Sequence, residues 1–299
     1  MKKIKFSMFF VFCCFVFPSC TPPTVVPEYE TSVSQFLNDM REYLEQKFEA
    51  QTGSQLRTIS ADFNEKIYDL QGLTILAFGE EQLQLLLSSY ESEKMVSAAI
   101  SSFEVPPNSD SFSDCAFVVR PNANLRAPIM HGDALKYLGG MGGKLSMDFY
   151  MVNPAIDNDT IDVFFGAETD TLENALALVE EWRVTESSSF TEHLNNYKTK
   201  YRLEIEDPGR DNASAIQRYT TAAYTAFTMY VDAYLNSLNS LSAEDNQTLM
   251  QANITGMSQF IENQVENDFV YQMGSMILGD ELDSYFLDAF WREDVYFTE

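Results

Sequence analysis

Between residues 28 and 50 apolar side chains return at Val33, Phe36, Leu37, Met40, Leu44 and Phe48, the three-and-four spacing that lays one stripe along a helix. After Gly79-Glu80-Glu81, the leucines at 83, 85, 86 and 87 suggest a second helix over about 80–91. From Lys94 to about Phe165 the period changes to two. Val96, Ala98 and Ile100 alternate with Ser97, Ala99 and Ser101, and Asp114, Ala116 and Val118 alternate with Cys115, Phe117 and Val119. Pro106-Pro107-Asn108 and Pro121-Asn122-Ala123-Asn124 separate these runs as turns. Further strands are readable at 127–136, 144–152 and 160–166, with the glycine-rich stretch 139–143 as a loop, and five short consecutive strands imply an antiparallel sheet.

Beyond Thr169 the helical period returns over Leu172 to Val184, then over about 212–241 after Asp207-Pro208-Gly209. Ser242-Ala243-Glu244-Asp245 reads as the cap of a last helical region reaching about 290, with a break at Gly279. Helices on both sides of a block of strands predict an α+β fold, a three-layer α/β/α sandwich with a central antiparallel sheet flanked by helices.

The beginning of the chain follows a different logic. Lys2, Lys3 and Lys5 precede an apolar stretch from Phe6 to Phe17, and Pro18-Ser19-Cys20 closes it, the order of a signal peptide ending in a relaxed lipobox. About twelve apolar residues fall short of the roughly 30 Å hydrocarbon core. The expected organisation is a lipoprotein signal over 1–19, a lipidated Cys20 with a stiff Pro-rich spacer over 20–27, and a single domain over 28–299. That places the domain outside the cytoplasm, anchored to a membrane through lipid.

Of the four cysteines, Cys13 and Cys14 would leave with the signal and Cys20 would carry the lipid, so Cys115 alone remains and the domain must be held together by its core. Loss of the three signal lysines takes the formal charge from −26 to −29, with 45 acids facing 16 bases. Such a surface repels nucleic acid and anionic headgroups, which removes both as partner classes.

Chemistry concentrates on the stretch from Arg126 to Leu135, where a strand puts Ile129, His131, Asp133 and Leu135 on one face. An imidazole and a carboxylate in an interior strand would look together into protein and would suit proton transfer. An edge strand would leave both in water. His193, the only other histidine, falls in a polar stretch. Near the C-terminus, helical spacing sets Gln264 and Asp268 beside Met257, Ile261 and Val265, either at the rim of a pocket or on a solvated face. Neither a metal-ligand spacing nor a nucleophile elbow or phosphate-binding loop occurs in a suitable context.

The order of these pieces resembles the superfamily of ferredoxin-dependent bilin reductases and red chlorophyll catabolite reductases. The resemblance rests on Cys115-Ala116-Phe117-Val118-Val119-Arg120-Pro121, then on Arg126-Ala127-Pro128-Ile129-Met130-His131-Gly132-Asp133 and on Ser146-Met147-Asp148-Phe149. It continues through Gln264, Asn267-Asp268, Ile277-Leu278-Gly279 and Tyr285 to Phe290, and covers about residues 94–292. It implies a tetrapyrrole pocket between the sheet and the C-terminal helices. Asp133 would match the family's sheet aspartate, which protonates the bilin, and Asp268 its helix aspartate. No metal or flavin is implied, and electrons would come from ferredoxin.

This chain departs from that pattern in three respects. The family's sheet histidine would fall near Asp114 or Cys115, leaving His131 as a stand-in on the face of Asp133. A domain at −29 lacks the basic rim that acidic ferredoxin needs, and Cys20 separates it from a cytoplasmic donor. The leading expectation is therefore an extracytoplasmic lipoprotein that binds a tetrapyrrole-like ligand, with proton transfer through Asp133, His131 and Asp268. The alternatives are a reductase with an extracytoplasmic ferredoxin-like donor, and a non-catalytic acidic surface lipoprotein that contacts other proteins.

Overall fold

The computed structural model describes residues 27–57, 65–69, 82–105, 112–136, 143–152, 158–184, 194–206 and 213–267, together with Gly279 and Phe290. Helix α1 (Pro27–Glu49) leads into eight strands: β1 (Gln55–Leu56), β2 (Glu65–Asp69), β3 (Gln82–Glu91), β4 (Met95–Val105), β5 (Phe112–Pro121), β6 (Ile129–Lys136), β7 (Gly143–Tyr150) and, after two helices, β8 (Leu203–Glu206). Those helices are α2 (Asn158–Phe165) and α3 (Thr169–Leu178), and the chain continues through α4 (Ala213–Ser240) and α5 (Gln247–Asn267). The strands form one antiparallel sheet in the order β1-β3-β4-β5-β6-β7-β8, with β2 also on β3. The expected α/β/α sandwich is what forms.

One face of the sheet is apolar. Ala98, Ile100, Cys115, Phe117, Val119, Met130, Ala134, Leu145, Met147, Phe149, Leu203 and Ile205 share a core with Met40, Leu44 and Phe48 of α1 and with Phe227, Tyr230 and Tyr234 of α4. Phe149 lies flat against both tyrosines, with ring centroids 5.5 Å and 5.9 Å apart at 11° and 8°. Each hydroxyl still finds an acceptor: Tyr230 donates to the Tyr201 carbonyl at 2.6 Å and Tyr234 to the Pro128 carbonyl at 2.7 Å. Burying these aromatic bodies therefore leaves no orphaned polar tip.

Three local expectations change. Residues 82–91 are strand β3, not a helix, because Leu85, Leu87 and Ser89 are buried while Gln84, Leu86 and Ser88 are not, an alternation that the extra leucine at 86 disguises. Residues 158–165 form α2 in place of a fifth strand in that run: Ile161, Phe164 and Phe165 occupy one helical face and Val163 is exposed. The last described helix begins at Gln247, where the side chain of Asn246 accepts a hydrogen bond from the Leu249 amide at 3.1 Å, so Asn246 caps it in place of Ser242. Strand β8 had no sequence expectation. Cys20, His193 and the glycine-rich stretch 139–142 lie outside the described residues.

Gly132 marks the tightest point of the apolar face. Its register partner is Phe117, and a Cβ at 132 would sit 2.5 Å from the Phe117 ring. The ring takes the space that a side chain would need. Gly132→Ala is thus expected to destabilise the fold by roughly 1–3 kcal/mol through overpacking, read as a lowered urea midpoint. An unchanged midpoint would show that Phe117 moves aside freely.

Candidate functional site

The second face of the sheet is built differently. In β6, Ile129, His131, Asp133 and Leu135 turn away from the α1/α4 core. Because β6 lies between β5 and β7, it is an interior strand and the edge-strand arrangement does not apply. Register fixes the neighbours: Val118 and Asp148 flank His131, Ala116 and Ser146 flank Asp133, and Asp114 and Lys144 flank Leu135. The sequence expectation that His131 and Asp133 share a face is met.

This face divides along the strands. At one end Leu87, Ala99, Val118, Ile129 and Tyr150 receive Met257, Phe260 and Ile261 of α5, with Leu194 and Phe290 in the same cluster. Toward the other end come Asp114, Asp133, Lys144 and Ser146, and His131 and Asp148 sit at the junction. A run of rings crosses the boundary. His131 stacks on Tyr150 at 5.8 Å, Tyr150 meets Phe260 at 5.1 Å, and Tyr197 stands edge-on to Phe260 at 5.0 Å. Gln264 of α5 is buried beside this cluster. Asp268, which the resemblance pairs with Asp133, lies outside the described residues.

Burial sets the electrostatics here. The His131 ring keeps partial exposure but sits deep enough that desolvation pushes its pKa down to about 4, so it is neutral at pH 7. Asp148 shows the opposite shift. Its carboxylate is 3% exposed and accepts from the Thr199 hydroxyl at 2.7 Å, the Thr199 amide at 3.3 Å and the Phe149 amide at 2.7 Å. Those bonds favour the charged form, yet burial outweighs them and raises the pKa to about 7. Asp114 is pushed well above the carboxylate range by burial and then by the charge of Asp133. The Lys144 ammonium is lowered by burial, against the opposing pull of Asp133 and Glu206.

The segment between Leu194 and β8 adds further charges. Burial and the neighbouring Arg202 bring Lys198 down to about 8. Glu204, 3% exposed, pairs with Lys144 at 2.5 Å and with Arg202. Among the described residues no three His, Cys, Asp or Glu side chains are grouped as a metal site. What this face offers is a set of ionisable groups with displaced proton affinities beside a ring-lined apolar floor, an arrangement suited to donating hydrogen bonds and protons to a bound molecule.

No family model matches the chain, and no curated protein matches it. Among solved structures it is similar to phytochromobilin synthase from tomato in complex with biliverdin, with a TM-score of 0.68 over 88% of this chain and 85% of that one. The likeness is one of fold. At 11% identity it shows that the resemblance read from scattered motifs reflects a shared architecture, an antiparallel sheet with helical layers.

Sequence reasoning missed Asp114, Lys144 and Asp148 as members of this face. Their signal was present in the alternation, since Asp114 heads the row of Ala116 and Val118, and Asp148 stands between the apolar Met147 and Phe149. The contact of Asp148 with Thr199 joins residues 51 positions apart and left no such trace.

Two titrations test this description. The His131 ring protons, followed by NMR, are expected to titrate near pH 4, whereas a free imidazole titrates near 6.5. A midpoint above 6 would place the ring in water. Since folding favours neutral His131, its contribution to stability is complete above about pH 6.5 and is lost as pH falls through about 4. Asp148 runs the other way: folding favours its neutral form, so its contribution is complete below about pH 4 and is lost as pH rises through about 7. Asp148→Asn is expected to remove that second decline, leaving urea midpoints flatter between pH 4 and 7 than those of the wild type.

Proposed function

We propose that the chain is an extracytoplasmic lipoprotein, anchored through Cys20, whose domain binds a tetrapyrrole or a similarly flat, apolar ligand on the α5-facing side of the sheet. One observation carries the binding part. That side joins a ring-lined apolar floor to a set of ionisable groups, in a fold shared with a protein solved in complex with biliverdin. Because α5 already covers the apolar end, a flat conjugated ligand would stack at its border on the partly exposed His131 ring, while polar groups at one end fix its orientation.

In this reading Asp133 exchanges a proton with the ligand and neutral His131 lies beside it, with Asp268 contributing from the helical side as the resemblance implies. A carboxyl group that gives up its proton to a bound ligand needs a cation to hold the resulting charge, and Lys144 is coupled to Asp133 in that sense. Reduction of the ligand would further require an external electron donor of the ferredoxin type, with electrons from the donor and protons from the protein. Binding and protonation stand without it.

Addition of biliverdin to the purified protein is expected to shift the pigment's absorption at micromolar concentration. No shift with either biliverdin or haem would overturn the binding reading and favour the non-catalytic acidic surface protein. Asp133→Asn is expected to bind with an altered spectrum; an identical spectrum, and an identical product under reducing conditions, would remove Asp133 from the chemistry. In a bacterial host Cys20→Ser is expected to move the protein from the membrane to the soluble fraction and to abolish labelling with fatty acid.

A further inference from the structure

The rings beside His131 are covered: Tyr150 is 5% exposed and Phe260 is fully buried, so a flat ligand arriving at His131 meets a closed border. Two elements provide the cover, and they are held unequally. Helix α5 is seated by the buried side chains of Leu249, Met257, Phe260 and Ile261, and by Asn253, which donates to the carbonyls of Ala123 and Leu125 at 2.7 Å and 3.1 Å. The turn from Leu194 to Thr199 is held more lightly. Leu194 is buried, Asn195 and Asn196 are exposed, and Tyr197 leans edge-on against Phe260 with only part of its surface covered. At the end of β7 the Met151 amide donates to the Tyr197 carbonyl at 3.4 Å, beyond the usual hydrogen-bond range.

The strongest hold on this turn is polar. Asp148 accepts from the Thr199 hydroxyl at 2.7 Å and from the Thr199 amide at 3.3 Å. Just beyond, Tyr201 is fixed in the opposite layer: its ring lies 5.6 Å from Phe165, its carbonyl accepts from Tyr230 and its hydroxyl donates to Asp162. The chain therefore crosses the sheet edge at Thr199 with a firm anchor after the crossing and a light one before it. Lys198 adds a push outward, because Arg202 and Lys144 crowd it with like charge against the pull of Asp148.

We propose that residues 194–198 form a strap over the ligand site, latched by Thr199 on Asp148 and pivoting at Lys200–Tyr201, and that it swings away to admit a flat ligand to the Tyr150 ring. Opening joins Tyr150 to His131 as one stacking floor while α5 stays seated. The admission step rests on the ligand-binding reading; the latch is a property of the free protein. A ligand that needs the open form binds with an affinity reduced by the fraction of molecules that are open. Weakening the latch therefore strengthens binding, the reverse of what loss of a merely structural contact would do.

Thr199→Val keeps the shape of the side chain and leaves the buried Asp148 carboxylate short of a donor in the closed form only. Its affinity for biliverdin is expected to rise about tenfold, the effect of about 1.4 kcal/mol, through faster association. Affinity equal to or below that of the wild type overturns the strap. In the opposite direction, Asp148→Cys combined with Thr199→Cys and oxidised to a disulfide is expected to lose biliverdin binding and to regain it on reduction. Equal binding by the two forms also overturns the strap, and if the pair does not close, Thr199→Val decides. Without ligand, the Met151 and Thr199 amides are expected to exchange hydrogen faster than those of Phe260 and Ile261, and Thr199→Val to speed the first pair alone. Equal protection of both pairs, unmoved by the substitution, overturns the latch. If the wild type binds no biliverdin, the tetrapyrrole reading fails, while the exchange rates still decide whether the turn opens by itself.

Discussion

The two-residue alternation of β6 is the constraint on which the rest of the molecule depends. Successive side chains of an interior strand enter different layers. Here Met130, Gly132 and Ala134 enter an apolar layer so tight that a ring covers the glycine, whereas Ile129, His131, Asp133 and Leu135 enter a layer with charges. A slip of one residue would put a carboxylate under α4 and a methionine among the ionisable groups. Register is therefore specified from both sides. The apolar layer fixes it by packing, and the other layer inherits a fixed set of neighbours for each titratable group.

That inheritance explains the electrostatics of the second face better than the overall charge does. A chain at −26 should hold its acids in water, and among the described acids all but Asp148 and Glu204 keep some exposure. Asp114 and Asp148 are held inside by strand geometry, and their proton affinities rise because the backbone leaves them nowhere else to point. Asp148 keeps three hydrogen bonds to its carboxylate and is still shifted upward, which shows how far desolvation dominates at this depth. Net charge thus describes the outside of this protein, and register describes its interior.

The sequence made the architecture legible where the period was clean. Helices α1 and α4, and strands β4 to β7, follow directly from spacing, and the shared face of His131 and Asp133 follows from a period of two. It misled where composition obscured the period: the leucines of β3 read as a helical stripe, and the aromatic run of α2 read as a strand. The missing members of the face were harder for another reason. Asp148 depends on Thr199 and Glu204 on Lys144, contacts that exist only after the chain has returned to the sheet through β8, and local spacing carries no record of such closures.

Strand β8 also bears on how copies of this chain meet one another. The sheet ends there in four residues, and the Glu204 carboxylate is drawn inward by Lys144 and Arg202. At the far edge, β1 and β2 share the outer side of β3 between them. Among the described residues neither border presents a long, flat ladder of open amides and carbonyls to a neighbouring molecule. For molecules crowded together on a surface, such blunt borders would discourage edge-to-edge joining of sheets, so association would have to proceed through side chains and not through the backbone.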